Sequence, residues 1–255
     1  TAVIDFAASG SLKYKSGDLL PGLDISSGTV ALSCVDTAQA SSEITFDSVK
    51  ITGGTFQGGA GKIKVRAETT GGFAWQHTSG TYTHQNGTVE FTHNTDSHIQ
   101  ENTFYNLIIN GDSSGTATHW RPKSGSTLTV GNILQLKEGR FNVDNADDTL
   151  TVTSHMQVES GTTFNYDDDA AGAHNFKSLT IDSGGLFKAT QGVTTLTGNN
   201  GSGYIMQASG NSRFEHNNGT VTFDGTESLP SIDVNDSFYD VIIDTNNKLR
   251  VIDQT

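Results

Sequence analysis

The chain has one cysteine, Cys34, in 255 residues, so no internal disulfide can form and stability must come from packing and backbone pairing. Such cysteine poverty fits reduced compartments and also cysteine-poor exported bacterial and viral proteins. Proline is nearly missing, with 3 residues, and no Pro-rich spacer divides the chain. Basic residues are scarce, 15 against 28 acidic, for a net charge of −13. That balance excludes a nucleic-acid groove or an anionic membrane surface, because phosphate contacts need Lys and Arg. No run of about 18 apolar residues occurs, so no membrane insertion by a helix is expected. The first residue is Thr1, with no Met and no basic-then-apolar leader, which points to a processed chain or a segment of a longer one. No stretch carries a convincing 3.6-residue apolar period with caps.

What is abundant is glycine, 29 residues, well above the usual share of about 7 %. Repetition is equally plain. HQNGTVEF at 84–91 returns as HNNGTVTF at 216–223, and FYNLII at 104–109 returns as FYDVII at 238–243. FDSVKITGG at 46–54 matches FKSLTIDSG at 176–184, and DISSGT at 24–29 matches QVESGT at 157–162. The offsets, 130 to 134, drift slowly along the chain, as two copies of one unit of about 130 residues would require. The copies divide the chain at 1–129 and 130–255, read as one continuous elongated body.

A shorter rhythm runs inside each copy. Glycine-led phrases ending in an apolar residue recur as EGRF (138–141), SGTTF (160–164), SGGLF (183–187) and SGNSRF (209–214). The first copy has SGSL (9–12), SGTV (27–30), TGGTF (52–56) and SGTY (79–82). A period of this length marks stacked supersecondary units that bury their apolar faces against neighbours. Between the glycines, apolar and polar residues alternate, as in Leu150/Val152, Leu179/Ile181 and Val221/Phe223, the period of half-buried strands. Asn-Gly at 86–87, 110–111, 200–201 and 218–219 supplies tight-turn chemistry. The expected fold is all-β: a β-solenoid, or parallel β-helix, of short strands. Tandem β-sandwiches of about 130 residues each are the alternative.

Both termini cut the repeat in mid-phrase, and neither carries a polar cap. An uncapped solenoid end offers an open strand edge for pairing. The expected assembly edges are therefore Val3, Ile4 and Phe6 at one end and Leu249, Val251 and Ile252 at the other. The partner they imply is the chain itself, in a homo-oligomer or filament.

Few residues carry chemistry. Pairs that recur in both copies, His84/His216, Phe104/Phe238 and Tyr105/Tyr239, are read as serving the fold. Trp75 in GGFAW is read as core. His119, Trp120 and Arg121 form the one aromatic-basic cluster in an acidic chain, and an exposed Trp beside Arg could stack on a surface glycan. Asn165 with Asp167, Asp168 and Asp169 could contribute oxygen ligands to calcium, although neither an EF-hand loop nor a calcium-binding nonapeptide is present. Asn145, Asp147 and Asp148 make a similar loop. The spacings of His77, His84, His93 and His98 match no zinc pattern. No G-x-S-x-G, P-loop or reasoned Cys-His pair occurs, so no catalytic residue is assigned. A polysaccharide-degrading enzyme, which would need paired carboxylates, is the lesser alternative. Thr-x-Thr at 127–129, 149–151 and 195–197 is too sparse along the chain for the flat Thr ranks of an ice-binding solenoid.

HNNGTVTFDGT (216–226), FYNLIINGDSSG (104–115) and STLTVGNILQLKEGRFNV (126–143) resemble the β-strand repeats of large bacterial surface proteins and phage appendage proteins. The resemblance covers most of the chain. It implies a non-enzymatic structural or adhesive role in an extracellular filament, fibre or adhesin, at a cell surface or on a virion. A carbohydrate- or receptor-binding segment of such an appendage is its other implication. It transfers no catalytic residue.

Overall fold

A computed structural model describes residues 3–69, 71–93, 96–100, 103–111, 119–122, 125, 127–143, 148–165, 172–225, 230–244 and 248–252. The chain is all-β, with parallel strands wound into about nine stacked coils, a β-solenoid. The sandwich alternative falls because the paired strands described run parallel, whereas sandwiches are built of antiparallel sheets. Two compact units, Thr1–Lys123 and Ser124–Thr255, each contain their own stack of coils.

In the first unit each of the first four coils visits three sheets in turn. The first sheet runs Val3–Phe6, Gly22–Ile25, Val49–Ile51, Phe73–His77, Ser97–Gln100 and His119–Pro122. The second stacks Gly10–Tyr14, Thr29–Cys34, Thr55–Gln57 and Thr81–Thr83. The third stacks Asp18–Leu20, Glu43–Phe46, Lys62–Val65, Thr88–Phe91 and Asn106–Asn110. Alternation decides which side chains enter the core. In the third sheet Ile44/Phe46, Ile63/Val65, Val89/Phe91 and Leu107/Ile109 align rung upon rung and are buried, while their polar neighbours face out.

The described strands of the second unit belong to two sheets rather than three, because its long strands bend from one face of the coil to the next. Strand Thr149–Val158 turns a corner between Val152 and His155, where two residues oppose one of the neighbouring strand, a bulge that redirects the chain. The phenylalanines that end the four glycine-led phrases, Phe141, Phe164, Phe187 and Phe214, form one internal column. Their successive ring centroids lie 6.1, 4.7 and 6.1 Å apart. Each belongs to a successive coil, which explains why the phrase recurs in sequence.

The repeated His-x-Asn-Gly phrase is a tight turn. Gln85 and Asn86 both have positive φ, as do Asn217 and Asn218. The Gly87 N–H closes each turn onto the His84 carbonyl at 2.8 Å, and Gly219 onto His216 at 2.9 Å. Only glycine fits at these closing positions. A Cβ on Gly87 would lie 2.2 Å from the Gly59 carbonyl oxygen, and one on Gly219 would lie 1.9 Å from that of Thr190. The coils pass backbone against backbone here.

Candidate functional site

The aromatic-basic cluster lies on strand His119–Pro122, paired in register with Ser97–Ile99. Here the structure corrects the sequence reading: Trp120 is fully buried, its ring 4.9 Å from that of Phe91. Alternation places Trp120 on the core side of its strand, so no ring face is left for a sugar. Arg121, on the opposite side, has an Nη2 3.5 Å from the Asp96 carboxylate. The side chain of His119 lies outside the described residues. Trp75 is core, as expected, edge-on to Tyr82 and Phe104.

Asn165 is turned inward rather than toward a loop ligand. It is fully buried with φ of 56°, its Oδ1 accepts the Val143 N–H at 2.8 Å, and its Nδ2 donates to His174 Nε2 at 3.1 Å. That contact makes Nε2 of His174 an acceptor and places the ring proton on Nδ1. Burial among Phe164 and Phe176 pushes the His174 pKa down to about 3. Asp167, Asp168 and Asp169 lie outside the described residues, as do Asn145 and Asp147. Asp148 is buried and accepts the Gly125 N–H at 2.6 Å. Among the described residues no group of three His, Cys, Asp or Glu side chains is placed to hold a metal ion.

The recurrent histidines serve the turns. His84 Nδ1 accepts the Asn86 N–H at 3.1 Å, and His216 Nδ1 accepts that of Asn218 at 3.0 Å.

A charged ladder covers the outer side of the third sheet in the first unit. Lys62 bonds Glu90 at 2.8 Å, Lys64 bonds Glu43 at 2.9 Å, and Asn110 Nδ2 donates to the other oxygen of Glu90 at 2.6 Å. Burial raises the Glu90 pKa, but the bonds from Lys62 and Asn110 and the charges of Lys62 and Lys64 outweigh it and hold the carboxyl below its ordinary value.

At the expected assembly edges, strand Val3–Phe6 is paired to Gly22–Ile25, and Arg250–Val251 to Ser231–Ile232. Among the described residues of each unit, neither has a partner strand on its other side. Ile4 and Phe6 are half-buried, as are Leu249 and Ile252, whereas Val251 is 74 % exposed. The larger apolar surface lies one strand earlier. Asp240–Ile243 pairs with Thr220–Phe223, so Val241 and Ile243 continue the inward column of Val221 and Phe223. Nothing described covers them, and they are 45 % and 60 % exposed. Their counterparts in the first copy, Leu107 and Ile109, are fully buried. The FYNLII/FYDVII repeat carried the signal for this surface, since it equates the two strands.

No helix among the described residues is long and apolar enough to cross a membrane. No family model matches the chain, and neither a curated protein nor a solved structure matches it.

Proposed function

We propose that this chain is a non-enzymatic structural module of an extracellular filament, fibre or adhesin, and that it associates with copies of itself by stacking coil upon coil. The observation that carries the reading is the uncovered inward column at Val241 and Ile243, beside an unpaired strand edge. Side chains that point along a core column, and whose repeat counterparts are wholly buried, fit a surface made to receive another coil. Parallel pairing supplies the backbone bonds, and the apolar column supplies the burial. The acidic charge of −13 opposes sideways sticking, and calcium is proposed as a screening ion. A surface or virion setting is part of the same proposal, supported by the composition and the repeat phrases. The glycan-binding alternative loses its main contact with Trp120 in the core.

The test is light-scattering mass across a concentration series, with and without calcium, for the natural chain and for a Val241→Asp/Ile243→Asp variant. Growth of mass with concentration, abolished by the double substitution while the circular-dichroism melt is retained, is the expected result. A natural chain that stays monomeric throughout the series overturns self-association.

A further inference from the structure

The outer side of one sheet in the second unit differs from its counterpart in the first. By the repeat offsets, Lys62, Lys64, Glu90 and Glu43 of the charged ladder correspond to Val193, Thr195, Thr222 and Ala173. The second copy thus replaces two ion pairs with uncharged side chains, in a chain of net charge −13.

What replaces them is ordered. Thr129 pairs with Thr151, Thr151 with Asn175, Asn175 with Thr195, and Thr195 with Thr222, a column one residue wide across five coils. Two residues earlier runs a second column, in which Thr127 pairs with Thr149 and Val193 with Thr220, while Ala173, just ahead of strand His174–Ile181, stands at the middle rank. The intervening residues, Leu128, Leu150, His174, Thr194 and Val221, are buried, so both columns stand on a packed base and face solvent. Parallel pairing spaces neighbouring ranks by about 4.8 Å, and the two columns lie about 6.7 Å apart along each strand. Rows of oxygen atoms in hexagonal ice repeat at intervals close to both.

We infer that this face binds ice. Each threonine presents a hydroxyl that can take a water position and a methyl group beside which water orders. The β-branched side chain has few rotamers, so little freedom is lost on contact. Charged groups would impose their own hydration shells; across the five ranks from Thr127 to Thr222 none is present in either column, and Asp240, paired with Thr220, bounds the face at the next rank. The Thr-x-Thr phrases at 127–129 and 149–151 span both columns, as does Thr220-Val221-Thr222, whereas the phrase at 195–197 contributes only Thr195. The pairing register brings Thr220 and Thr222 into line with Thr127 and Thr129. The inference is independent of self-association, since the columns lie on the side of the coils.

The test is thermal hysteresis and ice-crystal shaping with the natural chain, a Thr151→Tyr/Thr195→Tyr variant, and a Thr45→Tyr control on the charged face of the first unit. Faceted crystals and a measurable hysteresis are expected for the natural chain and the control, with at least a tenfold loss in the double variant at an unchanged melt. Should that variant misfold, Thr222→Lys takes its place. Round crystals and no hysteresis with the natural chain overturn the inference. So does full activity in a folded variant, or side-to-side association through this face with no effect on ice.

Discussion

The imidazole of His84 stacks on the ring of Tyr105, centroids 5.5 Å apart and planes 27° from parallel. The second copy reproduces this with His216 and Tyr239, at 5.6 Å and 28°. Each histidine also caps the Asn-Gly turn that follows it, so one side chain couples a turn to the strand of the next coil. Tyr105→Ala should loosen that turn and lower stability by about 1 kcal/mol, within the range for aromatic pairs. Urea unfolding measures it, and a change within about 0.5 kcal/mol would mean the stacking contributes nothing of note.

Gly87→Ala and Gly219→Ala should each cost about 2 kcal/mol or more, by the steric clash of a Cβ with a neighbouring coil's carbonyl. Gly125→Ala, where nothing lies within 4 Å, meets only the strain of its positive φ. Denaturant midpoints for the three variants should separate the two mechanisms.

His174 makes the second unit sensitive to acid. Its folded pKa of about 3 lies below the unfolded value of 6.5, so the unfolded chain binds the proton first as pH falls. The stabilisation is fully present above pH 6.5 and is lost progressively toward pH 3, on the order of 3 kcal/mol by pH 4. Glu90 acts in the same direction at lower pH, because its depressed pKa contributes stability above the ordinary carboxylate range. His174→Gln should remove much of the slope between pH 6.5 and 4.5, leaving the share of His155, whose burial also lowers its pKa, as read from unfolding curves at a series of pH values. An unaltered slope would rule His174 out as its source.

Glu90→Ala should remove the acceptor for both Lys62 and Asn110 and destabilise the first unit by about 1–3 kcal/mol. Lys62→Ala should cost less, since its side chain is 33 % exposed and water can take up part of its role. Equal effects from the two in thermal melts would argue against Glu90 as the centre of the ladder.

Trp120→Ala should act as a core truncation, costing about 3–5 kcal/mol, rather than as the loss of a ligand contact. A variant that keeps the natural melting temperature would place the ring outside the core.

Periods and local chemistry were legible in the sequence because they are written residue by residue. Alternation at Val221/Phe223, the Asn-Gly turns and the glycine-led phrases state strand, corner and coil, and the two long copies follow from simple matching. The phrase ending in Phe141, Phe164, Phe187 and Phe214 marked successive coils, and the structure stacks the four rings in one column. Which side chain meets which was not legible, because it depends on register between coils of unequal length. Thr88 pairs with Asn106, 18 residues on, whereas Leu179 pairs with Met206, 27 residues on. A shift of one residue turns a strand over. Only the tertiary structure could therefore send Trp120 inward, leave Val241 and Ile243 uncovered, and bring scattered threonines into line on neighbouring coils.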